Sequence, residues 1–209
     1  MAKSSLLAVA AVAIVAYAGG SAARAATIPY PNPGTINPVV YTFTAATSGD
    51  IVGTFFGFNA GDSDEIEMLV NGVASPAGFG FLNQTSTAGD TFNFGAVNAG
   101  DTITFLLRDL TSHTDISSVP SLNGDGHQHI YSTDFAGNVT VPAGTYVAFE
   151  DLLASQNSDF DYNDDSFVFS NLATTTDSTP IPSTLPLFAS GLGLVGLLAA
   201  RRKRKGKPT

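Results

Sequence analysis

The chain has 209 residues, with nine Lys or Arg against eighteen Asp or Glu, and a formal net charge of −9. Arg108 is the only Lys or Arg in residues 26–178, which contain all eighteen acids, so one positive and eighteen negative charges give this region −17. Such a region has almost nothing to neutralise phosphates, which excludes nucleic acid as an expected partner. Cysteine is absent, so no disulfide can stabilise the fold.

The first residues have the organisation of a secretory signal peptide. Lys3 precedes an apolar run from Leu6 to Tyr17, and small residues then lead to Ala23-Arg24-Ala25, an A-x-A cleavage site. The pattern predicts a signal peptide over residues 1–25 and export across the inner membrane.

Residues 26–178 are predicted to form one all-β domain, a β-sandwich or jelly roll, because short segments alternate apolar and polar residues and no amphipathic helix is evident. Tripeptides that end in Gly-Asp, S-G-D or A-G-D, separate these segments and are typical of tight turns. The turn aspartates Asp50, Asp62, Asp90 and Asp101 are therefore expected to form turns rather than bind ligands. The predicted strands include Val40–Thr44, Glu65–Val70, Thr91–Phe94, Thr102–Leu107, Thr145–Phe149 and Phe167–Phe169.

Asn123 to His129, N-G-D-G-H-Q-H, is a first candidate site. His127 and His129 would share one face of a strand and, with Asp125, could ligate a transition metal or transfer protons. No third nitrogen ligand is obvious, so a Gly-Asp turn opening the next strand is favoured. Asp125 would join an acidic site if this turn lay beside the loop described next.

The segment from Phe149 to Phe169 is unusually acidic. Asp159, Asp161 and Asn163 have the D-x-D-x-N spacing with which calcium loops present oxygen ligands. An EF-hand is excluded, because Asp164 stands where glycine is required and Ser170 where glutamate is required. Residue chemistry alone leaves calcium binding and a solvated acidic turn as equal alternatives.

The letters F-E-D-L and D-F-D-Y-N-D in this segment resemble the signature of a secreted bacterial β-domain family of unknown function. The resemblance covers about residues 141–170 and implies an extracellular β-sandwich module in which the acids bind calcium. The expected calcium ligands are Asp159, Asp161, Asn163 and Asp164, with Glu150 and Asp151 in direct or indirect contact with the ion.

The C-terminal residues predict a membrane segment. Leu185 to Ala200 is a run of sixteen residues without charge, and Arg201 to Lys205 follow at once. Basic residues beside a membrane span stay on the cytoplasmic side, which would place the C-terminus inside. Sixteen residues fall slightly short of the roughly 20 that a spanning helix needs, and Ile181 to Thr184 would extend the run.

Residues 179–209 resemble a PEP-CTERM sorting signal of Gram-negative bacteria: Pro180-Ile181-Pro182, an apolar helix with spaced glycines, and a basic end with Arg201 and Arg202. The resemblance implies recognition by an exosortase-like membrane protease after transient anchoring in the inner membrane, in cells that make exopolysaccharide. Ile181 stands where the family has glutamate, so the processing site is not assigned.

These features favour a non-enzymatic surface or extracellular-matrix protein with a calcium-stabilised loop, whose partners would be extracellular polysaccharide or surface proteins. The alternative is a calcium-dependent carbohydrate-binding module, in which Tyr131, Tyr146 or Tyr162 stacks on sugar rings. A hydrolase is the third class, and it would require a catalytic carboxylate pair in a cleft. No catalytic residue is assigned.

Overall fold

The computed structural model describes residue 28 and residues 30–178, which form eleven β-strands and two short 3-10 helices, Pro120–Leu122 and Ala154–Gln156. The predicted signal peptide and sorting segment lie outside the described residues. Within the described part of the chain, no helix is long and apolar enough to cross a membrane. The strands are β1 (Val39–Ala45), β2 (Gly49–Phe58), β3 (Asp64–Val70), β4 (Val73–Ala74), β5 (Thr91–Val97), β6 (Thr102–Asp109), β7 (Thr114–Ser117), β8 (Ile130–Phe135), β9 (Gly144–Phe149), β10 (Asp165–Phe169) and β11 (Leu172–Ser178).

The strands form two antiparallel sheets. The first has the order β11-β1-β6-β3-β4, with β7 also paired to β6, and the second has the order β5-β2-β10-β9-β8. The prediction of an all-β domain is confirmed, and the two sheets pack in a sandwich-like manner. The finer assignment to a jelly roll stays a prediction.

Aromatic side chains fill the space between the sheets. The ring of Phe105 in β6 stacks on that of Phe169 in β10, with 4.0 Å between centroids, and this contact joins the two sheets. Phe43, Phe55 and Phe94 are also almost fully buried in the same core. Burying each such side chain stabilises the fold by about 1.5–3 kcal/mol, so the core replaces the absent disulfides.

Some strands escaped the sequence analysis because they lack clear alternation. In β2, glycines interrupt the pattern, yet Gly53 is required there because a Cβ atom would lie 2.8 Å from the ring of Phe94. The edge strand β11 is largely polar and pairs with β1 along its whole length, from Val39↔Ser178 to Ala45↔Leu172.

The ends of four central strands meet at one end of the sandwich. Asp64 begins β3 directly opposite Asp109, which ends β6, and Asp165 begins β10 opposite Phe149, which ends β9. The acidic loop of residues 150–164 connects β9 to β10 at this end. The fold therefore brings the predicted acidic loop close to aspartates that are distant in sequence.

Candidate functional site

Glu150 organises the acidic loop from its centre. Its side chain is fully buried, and its carboxylate accepts hydrogen bonds from the hydroxyl of Ser158 and from the backbone N–H groups of Phe160 and Tyr162, the Phe160 bond being 2.8 Å long. Burial raises the pKa of Glu150 to about 7, although these hydrogen bonds oppose the shift. The loop is thus wrapped around a buried carboxyl group.

Two aromatic residues in the loop have left-handed backbone conformations. Phe160 has φ of 51° and Tyr162 has φ of 57°, and their N–H groups point to the same carboxylate, as in the anion-binding concavities formed by turn backbones. Such conformations cost about 1–3 kcal/mol each. Tyr162 offsets part of this cost, because its buried hydroxyl accepts from the Asn37 N–H at 2.7 Å and donates to the Gln128 carbonyl at 2.9 Å.

Three carboxylates of the loop converge on one point. Glu150, Asp159 and Asp161 each offer an oxygen atom, and these atoms lie within 4.8 Å of one another. Glu150 is buried, Asp161 is half-buried and Asp159 is exposed, so the group opens to solvent on one side. We call these residues the outer triad. Three carboxylate oxygens so arranged could hold a metal ion.

The remaining predicted ligands lie outside the outer triad. Asn163 is exposed, and its backbone N–H donates to Asp161 at 3.1 Å, so it supports the loop locally. One carboxylate oxygen of Asp164 accepts from the Asp151 N–H at 3.1 Å, and its backbone carbonyl accepts from the Asn59 N–H at 2.9 Å. Asp164 therefore ties the loop to β2's end.

Asp151 belongs to a second group of acids beneath the loop. Its carboxyl group interacts electrostatically with Asp64, Asp62 and Asp109, and its pKa is raised to about 7, first by burial and then by Asp64. Asp165 is also fully buried, and burial followed by the charge of Asp64 raises its pKa. We call Asp62, Asp64, Asp109, Asp151 and Asp165 the inner cluster.

The phase of the strands could have revealed the inner cluster. Asp64 lies on the same face of β3 as Ile66 and Met68, which point into the core. Asp109 lies on the same face of β6 as Phe105 and Leu107. In an alternating strand, every second residue faces one side. An aspartate in the apolar phase at a strand end is therefore expected to be buried, and Asp64 and Asp109 both carry this signal.

The turn aspartates divide into two kinds. The carboxylate of Asp90 accepts from the Thr87 N–H at 2.8 Å and that of Asp101 from the Asn98 N–H at 2.7 Å, which confirms both as turn formers. The prediction is wrong for Asp50, which lies inside β2 and accepts from the Asn93 side chain across the strands. Asp62 belongs to the inner cluster, where burial and then the charge of Asp109 raise its pKa.

The turn at Asn123 to His129 does lie beside the acidic loop. The carboxylate of Asp125 accepts from the backbone N–H of Ala154 at 2.9 Å and of His127 at 3.0 Å, and it contacts Nε2 of His129 at 3.0 Å. Through its bond to Ala154, Asp125 fixes the acidic loop to this turn. Burial lowers the pKa of His129, although Asp125 opposes this shift. Neither histidine lies in a strand, so they do not share a strand face, and the favoured interpretation of a turn that leads into β8 is confirmed.

The predicted sugar-stacking tyrosines are mostly inaccessible. Tyr146 is 4% exposed and Tyr162 is 2% exposed, so neither can present a ring face to a glycan. Tyr131 is half-buried and contacts the ring of Tyr30, with 5.4 Å between centroids. The prediction is wrong for Tyr146 and Tyr162, because both rings are needed in the core.

Comparison with known proteins finds no matching family model, no similar curated protein and no similar solved structure.

Proposed function

We propose that this chain is a non-enzymatic surface or extracellular-matrix protein whose acidic loop binds calcium. The observation that carries the proposal is the convergence of Glu150, Asp159 and Asp161 within 4.8 Å. All ligand atoms are carboxylate oxygens, the type that hard cations prefer, and the open side leaves room for the waters that complete a calcium shell of six to eight oxygens.

The charge balance supports a role for a divalent cation. Arg108 is the only Lys or Arg in residues 26–178, and its side chain pairs with Asp115 at 3.1 Å instead of entering the acidic loop. A compact domain of charge −17 repels itself. Calcium would neutralise the loop carboxylates and join Asp159 and Asp161 to the rigid Glu150, so the fold would gain stability where calcium is abundant.

The proposed role is binding rather than catalysis. Oε2 of Glu150 accepts from Ser158 and Phe160 and Oε1 accepts from Tyr162, so this carboxyl group is held in place; Oε1 keeps a lone pair for a cation, but the group is not free to move onto a substrate. A general acid must reach the bond that it protonates. Burial of Tyr146 and Tyr162 likewise removes support for the carbohydrate-binding alternative.

The proposed location of the protein is inferred from the sequences of its two terminal segments. The signal peptide over residues 1–25 would export the protein, and the PEP-CTERM-like segment would anchor it in the inner membrane until an exosortase-like protease acts on it. Arg201 and Arg202 would hold the C-terminus on the cytoplasmic side. Extracellular polysaccharide and surface proteins are the proposed partners.

Thermal unfolding tests the calcium site. The full-length chain, held in mild detergent because of its apolar ends, is melted in chelator and in millimolar calcium. Calcium at a hundred times its dissociation constant stabilises by roughly 2.7 kcal/mol, which corresponds to about 5–10 °C at this size. Asp161→Ala should abolish most of the increase in melting temperature that calcium produces at the outer triad. Asp134 is an exposed acid of β8, and Asp134→Ala should retain the full increase. Equal rises in wild type and Asp161→Ala would reject the site.

An epitope tag after Thr209 tests the sorting proposal in a Gram-negative host that makes exopolysaccharide and carries an exosortase. We expect the tag to be lost from the surface fraction while an antibody against the β-domain still detects the protein there. Replacing Arg201 to Lys205 by serines should leave the tag attached. Retention of the tag on surface-exposed wild-type protein would contradict processing.

A further inference from the structure

The inner cluster contains three carboxyl groups that are fully or almost fully buried. Asp64 is 1% exposed, and Asp109 and Asp165 are 0% exposed. Asp64 and Asp109 lie directly opposite each other on paired strands, an arrangement in which like charges destabilise a sheet. Asp165 approaches them from the other sheet, and Nδ2 of Asn83 contacts the carboxylates of both Asp64 and Asp165.

Each of these carboxylates has one oxygen held and one oxygen without a partner. Nδ2 of Asn83 donates to Oδ2 of Asp64 at 2.8 Å and to Oδ2 of Asp165 at 3.3 Å. Oδ1 of Asp109 accepts from the backbone N–H groups at positions 111 and 112, at 2.7 and 2.9 Å. Oδ1 of Asp64, Oδ2 of Asp109 and Oδ1 of Asp165 are buried without a hydrogen-bond partner. The held oxygens fix the orientation of the free ones.

Arg108 of β6 does not neutralise these unpartnered oxygens. Arg108 precedes Asp109, so strand alternation places its side chain on the opposite face of β6, where it pairs with Asp115 and lies over the ring of Phe79. A buried carboxylate without a partner is costly enough that it must be protonated or paired with a cation. The question is therefore which of the two neutralises the cluster.

We propose that Asp62, Asp64, Asp109, Asp151 and Asp165 bind a second divalent cation of the calcium class, buried between the two sheets and separate from the outer triad. The five side chains offer only oxygen ligands, and three of the oxygens are already oriented and unpaired. Nδ2 of Asn83 contacts both Asp64 and Asp165, and Asp64 lies opposite Asp109 on the paired strands, so the ion would draw these three carboxyl groups together.

A cleft that is open to solvent borders the inner cluster at Asp62 and Asp151. An open cleft of about 220 Å³ is lined by Asp62, Asp151 and Asp164, together with Asp159 from the outer triad. A hydrated cation would enter past these carboxylates, and the cleft has room for the waters that complete its shell. Asp164 lies between the two sites, and the charges of both Asp151 and Asp161 act on it.

Calcium stoichiometry tests the inference on the full-length chain in mild detergent. Equilibrium dialysis at about 0.15 M salt suppresses diffuse binding to the acidic surface. We expect two tightly held ions per wild-type chain and one in Asp109→Asn, because the amide keeps the oxygen held by the backbone and places an NH2 group where the ion would bind. Asp161→Ala should retain one ion, and the exposed-acid control Asp134→Asn should retain two.

The outcomes separate the inner site from the outer one. One ion in wild type and none in Asp161→Ala would overturn the inner site while leaving the outer triad intact. An unchanged count in Asp109→Asn would also overturn it and would mean that these carboxyl groups share protons. One ion retained in Asp161→Ala supports the inner site even if the outer triad fails. If Asp109→Asn does not fold, an anomalous diffraction peak between Asp64 and Asp165 in wild-type crystals soaked in terbium decides, and its absence overturns the inference.

Discussion

The outer triad and the inner cluster are both acidic, but they are built in opposite ways. The outer triad comes from a single loop of residues 150–161, and its buried member Glu150 is surrounded by N–H and O–H donors of that loop. The inner cluster comes from β3, β6, β10 and two connecting segments, and three of its buried oxygens have no partner. Local density of acids in a sequence therefore does not identify the place where negative charge is most costly.

The difference also separates two uses of a carboxylate. In the outer triad, Glu150 acts first as a template for the backbone, and a metal ion would add to a loop that is already hydrogen-bonded. In the inner cluster, the carboxylates face one another across the end of the core, and neutralisation has to come from protons or from an ion. The following predictions test this contrast, beginning with the largest expected effect.

Glu150→Ala should be the most damaging single substitution at either site. It leaves the Phe160 and Tyr162 N–H groups and the Ser158 hydroxyl without their acceptor, and we expect a loss of about 3 kcal/mol in the free energy of unfolding. Glu150→Gln, which keeps one acceptor oxygen, should lose about half as much. Chemical denaturation in chelator measures both, and a loss below about 1 kcal/mol in the alanine variant would show that the loop does not depend on this template.

The acidity of the inner cluster predicts an unusual pH dependence in chelator. Burial is the first cause that raises the pKa values of Asp64 and Asp151 in the inner cluster, and of the neighbouring Asp164, to about 7, well above their values in the unfolded chain. Carboxyl groups with raised pKa values stabilise the fold fully below pH 4, and this contribution is lost as the pH rises through 7. The melting temperature in chelator should therefore fall by about 5 °C or more from pH 5 to pH 8.

Calcium should flatten that pH profile at pH 8, because an ion replaces the protons that the carboxyl groups lose. A melting temperature in chelator that rises between pH 5 and pH 8 would contradict the assignment of raised pKa values. The same scan on Asp161→Ala should keep its slope, since Asp161 belongs to the outer triad.

Much of the fold and half of the site could be predicted from the sequence. Alternating apolar residues predicted β3 and β6, and the crowding of acids predicted a set of six candidate ligands that includes the outer triad, because both signals are local. The pairing of Asp64 with Asp109 and the approach of Asp165 from the other sheet depend on strand register and sheet packing, which no local pattern encodes. Only the apolar phase of these aspartates gave a hint of their burial.

Asp165→Asn should stabilise the protein in chelator. The amide oxygen can still accept from Asn83, and the amide NH2 can donate to Asp64, which replaces a repulsive contact by a hydrogen bond. We expect a gain of about 1 kcal/mol in chelator and a smaller response to calcium. Asp161→Asn, the matched change in the outer triad, should alter the stability in chelator by less than about 0.5 kcal/mol. Equal effects of the two substitutions would remove the contrast between the sites.

Arg108→Ala should have the smallest effect, although it removes the only Lys or Arg of residues 26–178. Its ion pair with Asp115 is exposed, and its guanidinium lies 4.1 Å from the centre of the Phe79 ring, so we expect a loss of less than about 1 kcal/mol. Because this side chain lies on the face of β6 away from Asp109, the rise in melting temperature produced by calcium should be unchanged. A calcium response that grows in Arg108→Ala would mean that the arginine competes with the ion for the buried carboxylates, and the inner cluster would then be neutralised from within the chain.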